Sequence, residues 1–394
     1  MADKVRYYLE QAVPELEDLE KKNLFTKNEL SIIMRRRTDF EYRINGRQAK
    51  PRDFVKYAEY EMNVEKLRKK RVQRIKPKKT GKSPSEYAGP RRILFIFDRG
   101  TKKFAGDLSL WMHYLDYAKA TKSINVVSKI LTNLLQLHPT KPEVWIMAAK
   151  YEADENASMR AARAIMQRGL RFNQESVVLW LEYIKLELLY VSKILDRRRL
   201  LGIQSKHEAE QAAAKDTDPN DGSIKLPDLD IKDDLKSLPD ADMSMLGSPE
   251  SNPALRGDIA LAIYDSAMTS TRLNSKQKHE MSLKVLQLFD KFTDLDRFHL
   301  CQHVISHLMT QHDNDPEIVL LDILLPIRHV AHTDQSFPDR LKLTITKYKK
   351  ATNDKIKPLF QAHIDKYLEE DLTPPLDPNL KLVLQKFASK RASM

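Results

Sequence analysis

The sequence predicts an all-α protein, an α-solenoid of repeated helical hairpins, and two observations lead to this prediction. Only ten glycines occur in 394 residues, which is few for turn-rich β folds and for glycine-loop nucleotide sites. An aromatic-anchored pattern also recurs, and Trp111, Trp145 and Trp180 follow one another at steps of 34 and 35 residues. This spacing is typical of helix-turn-helix solenoids, because one helix pair cannot bury its apolar face without neighbours.

Residues 1–50 are expected to form an amino-terminal helical hairpin. Apolar residues recur at helical steps in its first half, where Pro14 predicts a kink. The second helix is expected to begin at Thr26, whose spacing to Glu29 is that of a capping box, and to end at Asn45. The end of a repeat array needs its exposed apolar face covered, so this hairpin either caps the first repeat or docks a partner.

Residues 51–202 are expected to hold four repeats, each a pair of helices. The first helix of a pair carries the aromatic anchor, an aromatic or small residue at offset three and, in three of four pairs, a glutamate at offset seven. Offsets three and seven lie within about 60° of the anchor, so these positions share one helix face. We expect packing roles for Phe54, Tyr57, Glu61, Trp111, Tyr114, Trp145, Tyr151, Glu152, Trp180, Tyr183 and Glu187.

The second helix of each pair is repeated in register as well. An isoleucine stands fifteen residues before each tryptophan, at Ile96, Ile130 and Ile165, and is expected to pack against it. Residues 93–97, ILFIF, would pass for a buried strand alone, but their register in the repeat predicts a helix. Residues 191–195, VSKIL, resemble such a second helix less closely.

The glutamate at offset seven needs a partner, because an unpaired buried carboxylate costs several kcal/mol or becomes protonated. Arg163, in the helix after Glu152, is the candidate partner of that glutamate. The equivalent positions in two other pairs are Ser128 and Leu94, so this pairing cannot be general.

A basic insertion near residues 66–90 interrupts the repeats. The formal net charge of +12 makes an acidic partner such as nucleic acid plausible. The run is either a solvated continuation of a helix or a functional segment, namely a contact to nucleic-acid phosphates or a nuclear import signal. Its prolines and Gly81 predict that its second half is flexible. Its candidate residues are Lys66, Arg68, Lys69, Lys70, Arg71, Arg74, Lys76, Lys78, Lys79 and Lys82.

A second interruption spans residues 203–256, where acids outnumber lysine and arginine and no helical stripe persists. We expect an acidic, disordered insertion there. Residues 257–394 return to helical spacing without another tryptophan, which predicts degenerate helical repeats.

Two short motifs resemble a phosphate-binding loop and a metal site, but each lacks a residue that such a site requires. Residues 80–83, TGKS, lack the glycine of a phosphate loop, and Pro84 is expected to obstruct the following helix. The histidines His299, His303 and His307 share a helix face but lack the glutamate of a zinc-protease motif, so solvated or paired roles are favoured over a metal. We expect no catalytic residue, cofactor or metal.

The repeat pattern, followed by a helix such as AARAIMQRGL at 161–170, resembles the half-a-tetratricopeptide (HAT) repeat of RNA-processing proteins, a TPR-like hairpin. Residues 262–268, AIYDSAM, look like another second helix. The segments VRYYLEQAVPELEDLEKKNLFTKNE, RRRTDFEYRI and DFVKYAEYEMNVEKLRKKR are similar to the opening of the U3 small nucleolar RNA-associated protein six family.

The resemblance implies a non-enzymatic scaffold of the small-subunit processome, within its UtpB subcomplex. It implies WD-repeat propeller proteins and other processome subunits as partners, together with the U3 RNA and pre-ribosomal RNA particle, and a nucleolar location without a membrane. Two alternatives stay open: a HAT scaffold of messenger-RNA splicing or 3′-end processing, and a helical-repeat subunit of a prenyltransferase-like enzyme. The Asn-Tyr-x-x-Trp-x-x-Arg pattern of the latter family is not present at any tryptophan of this chain.

Overall fold

A computed structural model describes most of the chain and shows an all-α fold, without strands in the described residues, which confirms the predicted class of helical-hairpin repeats. The chain divides into two compact units, Met1–Pro139 and Thr140–Met394. The residues described are 2–76, 83–200, 252–311, 315–330, 334, 336–350, 355–368, 380–381 and 384.

The first unit consists of helices connected by short turns. Its helices are α1 Ala2–Glu10, α2 Val13–Lys21, α3 Lys27–Asn45, α4 Pro51–Ile75, α5 Pro84–Lys103, α6 Leu108–Ala120 and α7 Ile124–Leu137. Helix α1 packs on α3 and α2 packs on α5, while α4 with α5 and α6 with α7 form the helix pairs of the repeats.

The amino-terminal segment differs from the predicted kinked helix. A turn at Gln11 and Ala12 separates α1 from α2, and Pro14 lies in the first turn of α2. Proline is tolerated there because the first amides of a helix have no intrahelical acceptor. The capping box is confirmed: the Thr26 amide donates to Glu29 Oε2 at 2.9 Å, and the Glu29 amide donates to Thr26 Oγ1 at 3.4 Å.

Helix α5 contains residues 93–97, so the helix predicted from the repeat register is correct and the strand interpretation is wrong. Ile93 and Ile96 are fully buried, as apolar residues three apart on one helix face should be. Pro84 does not obstruct this helix, contrary to expectation, because it occupies the helix start, where its missing amide costs nothing.

The second unit contains the remaining helices. They are α8 Pro142–Asp154, α9 Met159–Phe172, α10 Val177–Leu200, α11 Pro253–Arg256, α12 Asp258–Thr269, α13 Ser275–Phe289, α14 Arg297–Gln311, α15 Pro316–Leu324, α16 Phe337–Lys350 and α17 Ile356–Leu368. Helices α8 and α9 form a pair, and both also contact α10.

Helix α10 changes the interpretation of the fourth repeat. Residues 191–195 lie inside this single helix of 24 residues, so they are not a separate second helix. Helix α12, which holds residues 262–268, packs on α10 instead. The fourth pair is therefore completed only after the acidic segment, which separates its two helices.

The acidic segment lies largely outside the described residues, which resume at 252. Its expected end at 256 is wrong, because Pro253–Arg256 form a helical turn that packs on α10 and α12. Beyond it, a separate apolar core joins α15, α16 and α17 around residues such as Phe337, Tyr348 and Phe360, as degenerate repeats require.

Candidate functional site

The glutamate at offset seven in the first repeat lies in a buried ion-pair network. Arg37 of α3 donates two hydrogen bonds to Glu61 of α4, at 2.7 and 2.9 Å, and both side chains are at most 2% exposed. Arg92 of α5 approaches Glu61 at 3.3 Å. Burial raises the pKa of Glu61, but the two guanidinium groups outweigh it and hold that pKa below its usual range.

The same network ties the amino-terminal hairpin to the first repeat. Glu15 of α2 is paired with Arg92, and Arg99 of α5 donates two hydrogen bonds to Glu41 of α3, at 2.9 and 2.7 Å. Arg37 also lies 3.6 Å from Glu15. Three carboxylates and three guanidinium groups thus hold α2, α3, α4 and α5 together, which supports a capping role for the hairpin.

The sequence pattern did not reveal this network, although one signal pointed to it. Arg37 precedes the anchor Phe54 by 17 residues, as Arg163 precedes Trp180. Arg163, in the second helix of the third pair, donates two hydrogen bonds of 2.8 Å to Glu187 in the first helix of the fourth, and Glu187 is 1% exposed. An Arg–Glu separation of 24 residues is therefore common to both repeats.

The predicted pairing of Arg163 with Glu152 is wrong. Glu152 lies at the partly exposed end of α8 and accepts a hydrogen bond of 2.9 Å from Asn156, four residues on. A carboxylate with water access does not need a guanidinium partner, whereas Glu187 does.

The tryptophans combine an apolar body with one anchored polar atom. Trp111 Nε1 donates to the Ala105 carbonyl at 2.9 Å, and Trp180 Nε1 donates to the Gln174 carbonyl at 3.1 Å. In both cases the acceptor lies six residues earlier, in the turn before the helix. A buried indole ring needs such a partner for its N–H, so the ring also fixes that turn.

The other aromatic positions are packed within the repeats. Tyr57 stacks on Phe40 with ring centroids 5.0 Å apart, and Tyr114 stacks on Phe97 at 5.6 Å. Except for Glu152, the residues predicted to pack are buried, namely Phe54, Tyr57, Glu61, Trp111, Tyr114, Trp145, Tyr151, Trp180, Tyr183 and Glu187.

Ile165, which is expected to pack against Trp180, is only partly buried. The neighbouring Met166 is 1% exposed and takes the inward position on α9. On the same helix, Gly169 meets the face of Trp145, and a methyl group added to this glycine would lie 2.9 Å from the indole ring.

The basic run divides into paired and exposed side chains. Arg68 donates two hydrogen bonds to Glu65, at 2.8 and 2.7 Å. Arg71 donates two to Glu29, at 2.8 and 2.7 Å, and one of 2.8 Å to the Leu24 carbonyl. These two guanidinium groups are engaged inside the fold, so the sequence-based RNA-contact hypothesis is withdrawn for them.

The exposed cations of the run form a stripe on α4. Lys66, Lys70 and Arg74 follow one another at steps of four and lie on one helix face, and Lys69 lies beside them. We call these four residues the basic stripe. Lys76 is also exposed and ends the helix in a left-handed conformation. Lys78, Lys79 and Lys82, for which the sequence predicts a flexible segment, lie outside the described residues.

The described part of the TGKS segment is engaged in structural contacts. The Ser83 hydroxyl contacts both Asp18 and Lys22, and the Ser85 hydroxyl lies 3.3 Å from Lys22 Nζ. Burial raises the pKa of Asp18, but hydrogen bonds from Ser83, Ser85 and Lys22 outweigh it and lower the pKa to about 2. Residues 80–82 lie outside the described residues.

The histidines of α14 are held by separate carboxylates. His299 lies 3.0 Å from Asp258, and His303 lies 2.9 Å from Asp265. His307 packs edge-on against Tyr264, with ring centroids 5.6 Å apart. Burial of His307 lowers its pKa, which favours the neutral ring. The three rings therefore do not converge on a common ligand.

The structure does bring one metal-type donor set together. Atoms of Asp290, Cys301 and His329 lie within 4.8 Å of one another. However, Arg328 binds both oxygens of Asp290, at 2.9 and 2.7 Å, and burial raises the pKa of the Cys301 thiol to about 12. To bind a metal, these residues would have to supply a thiolate from Cys301 and a free carboxylate from Asp290, so this cluster fits a packed polar core better.

Within the described residues, no helix combines the length and the apolarity that a membrane crossing requires.

Two protein families match parts of the chain. Residues 9–92 match U3 small nucleolar RNA-associated protein 6, and residues 101–215 match the PRP39 N-terminal HAT repeat. The first match covers most of the network that joins the hairpin to the first repeat, and the second covers the three tryptophan-bearing helices.

Curated relatives agree with the first match. U3 small nucleolar RNA-associated protein 6 of Schizosaccharomyces pombe is 44% identical over 243 residues, which is 60% of this chain and 49% of that protein. The homolog of that name in Mus musculus is 30% identical over 316 residues, 80% of this chain and 45% of its own length. The chain spans about half the length of the curated relatives it matches. Over residues 9–92 and along these relatives, the chain is similar to the family of U3 small nucleolar RNA-associated protein 6.

Proposed function

We propose that this chain is a non-enzymatic scaffold in a U3 small nucleolar RNA particle. The single observation that supports this most strongly is the ion-pair network of Glu15, Arg37, Glu61 and Arg92, which lies within the family match and uses its buried charges for cohesion. Buried charges that neutralise each other fix geometry, whereas catalytic groups need a reacting partner. The chain would then act by holding other subunits in place.

The finer assignment rests on the family resemblance. We infer membership of the UtpB subcomplex of the small-subunit processome, contacts with WD-repeat propeller proteins and other processome subunits, and a role in pre-ribosomal RNA processing and small-subunit biogenesis in the nucleolus. The names of the relatives support the link to U3 RNA.

The basic stripe is the proposed RNA-facing part of this scaffold. Its four cations project from one side of α4, and among the residues that the structure describes only Lys69 makes an ion-pair contact, 3.9 Å from Glu65. Cations spaced along a helix suit a phosphate backbone, which is attracted by charge without reading of base sequence. We propose that Lys66, Lys70 and Arg74 make such contacts.

The test replaces Lys66, Lys70 and Arg74 together by glutamine. The matched control replaces Lys276, Lys291 and Lys349, three exposed lysines of the second unit, in the same way. Each single-strand phosphate contact contributes a slope of about −0.7 to log K against log salt, so loss of three contacts should flatten the slope by about 2. The measurement is filter binding of a uridine-rich 20-mer at several salt concentrations.

Recovery of RNA from nuclear extract tests the particle itself. The tagged chain should enrich U3 RNA together with propeller proteins, and the stripe variant should lose RNA before it loses protein partners. Enrichment of spliceosomal RNA instead would support the splicing alternative. Equal salt slopes for the stripe variant and its control would exclude a direct contact by the stripe.

A further inference from the structure

The first unit contains a cleft between α1 and α5 that the scaffold role does not explain. Its volume is about 630 Å³, which is within the range of ligand pockets. The residues that matter for its chemistry are Arg91, Arg92 and Arg99 of α5, Arg37 of α3 behind them, and the aromatic side chains at its mouth. We call it the arginine cleft.

The charges of the arginine cleft do not balance. Arg37, Arg92 and Arg99 are paired with Glu61, Glu15 and Glu41, respectively. Arg91 is exposed and makes no ion pair with any residue that the structure describes. One positive charge is therefore left over, beside three guanidinium groups that already bind carboxylates.

Two buried donors in the cleft have no hydrogen-bond acceptor among the residues that the structure describes. They are Nη1 of Arg37, whose side chain is 2% exposed, and Nε of Arg99. The nearest carboxylate oxygen to Arg37 Nη1, on Glu15, is 3.6 Å away and thus beyond hydrogen-bond distance. Buried donors of this kind are rare, so an additional acceptor entering the cleft would gain from them.

Aromatic side chains surround the charge. Tyr87 is 59% exposed and Phe95 is 40% exposed, so both rings leave apolar surface open to solvent. Tyr8 packs on Phe95 with ring centroids 5.5 Å apart, and the Arg99 guanidinium lies 4.5 Å from the Tyr8 ring centroid. Tyrosine and arginine side chains in one depression are the composition of protein-binding hot spots.

We propose that the arginine cleft docks a segment of a partner protein that carries one aspartate or glutamate next to a large apolar residue. One carboxylate would match the uncompensated charge, and a guanidinium binds it in a planar, two-bond geometry. The apolar neighbour would cover Tyr87 and Phe95. This proposal goes beyond the RNA contact of the basic stripe and does not depend on it.

The observations favour a protein segment over RNA at this place. Glu15, Glu41 and Glu61 lie among the arginines and would repel a backbone that carries a charge at every nucleotide. Nucleic-acid surfaces are strongly positive, whereas this cleft has an excess of one charge.

The test uses the whole chain and a displayed library of random twelve-residue peptides. Selected peptides are synthesised with a fluorophore, and their Kd is measured by polarisation on the wild type, on Arg91→Gln and on Tyr87→Ser. Both side chains are exposed, so the fold should survive, which circular dichroism checks. Arg47→Gln, an exposed arginine outside the cleft, is the matched control.

We expect the selected peptides to share an acidic residue beside an apolar one. The Kd should rise roughly tenfold for Arg91→Gln, for Tyr87→Ser and on conversion of the peptide carboxylate to its amide, while Arg47→Gln and the stripe variant leave it unchanged. The proposal is overturned if no such peptide is selected, if the cleft variants bind as the wild type does, or if a uridine-rich RNA displaces the peptide and itself depends on Arg91.

Discussion

Arg163 and Glu187 are joined by two hydrogen bonds of 2.8 Å each, between the second helix of one repeat and the first helix of the next. Arg37 and Glu61 make the same pair at the same separation of 24 residues. In each case the arginine stands 17 residues before the aromatic anchor and the glutamate 7 residues after it. The ion pair is therefore a feature of the repeat, used where the sequence supplies an arginine.

Arg163→Ala should destabilise the chain by about 3 kcal/mol, because it leaves the carboxylate of Glu187 buried without its partner. Glu187→Gln should cost less, since an amide can still accept one hydrogen bond. A double-mutant cycle by urea unfolding measures the coupling, with Arg168→Ala, an exposed arginine on the same helix, as control. Coupling below about 0.5 kcal/mol would show that the pair does not stabilise the repeat.

Trp180→Ala should cost about 3–5 kcal/mol as a core truncation, because the ring is 8% exposed and anchors the turn before α10. Trp180→Phe separates the two contributions: it keeps most of the apolar area and loses the hydrogen bond to Gln174, which is worth about 1 kcal/mol. Urea unfolding gives both values. Near-wild-type stability of Trp180→Ala together with lost partner binding would indicate an interaction site at this ring.

The sequence predicted helix positions well because periodicity determines which face of a helix is apolar. It did not determine which neighbour that face meets. Arg163 lies on α9, which packs against both α8 and α10, so its partner could be Glu152 or Glu187 until burial was known. The partner of Arg71 could not be predicted for the same reason. Its partner, Glu29, lies 42 residues away, and a run of basic residues has the same sequence pattern whether its side chains form ion pairs or are solvated.

Gly169→Ala should be destabilising by about 1–3 kcal/mol, although the same change inside a helix usually gains about 1 kcal/mol. The added methyl group would lie 2.9 Å from Cγ of Trp145, and the ring behind it is held by stacking on Phe172. Thermal unfolding compares it with Gly106→Ala, where a methyl group meets nothing within 4 Å. A stabilised Gly169→Ala variant would mean that the α8–α9 contact is loose.

Stability should fall in acid through Glu29. Hydrogen bonds from Arg71 and from the Thr26 amide lower its pKa from 4.5 to about 2. Between these values the unfolded chain takes up a proton that the folded chain does not, so unfolding becomes easier as pH falls. The stability difference between wild type and Glu29→Gln should be complete above pH 4.5 and shrink towards pH 2. Arg71→Gln should weaken this trend, because only the hydrogen bonds to Thr26 would remain, and a difference that does not change with pH would refute the assignment.

Deletion of residues 1–45 should abolish cooperative unfolding of the first unit. It removes Glu15 and Glu41, so Arg99 on α5 loses its carboxylate and Arg92 keeps only Glu61, and it uncovers the apolar faces of α4 and α5. Calorimetry or hydrogen exchange of the amides of α4 and α5 measures the effect. The control is Arg6→Ala with Glu10→Ala, an exposed pair of the same hairpin, which should change stability by less than about 0.5 kcal/mol. A truncated chain that unfolds cooperatively but no longer assembles would instead assign the hairpin to partner docking.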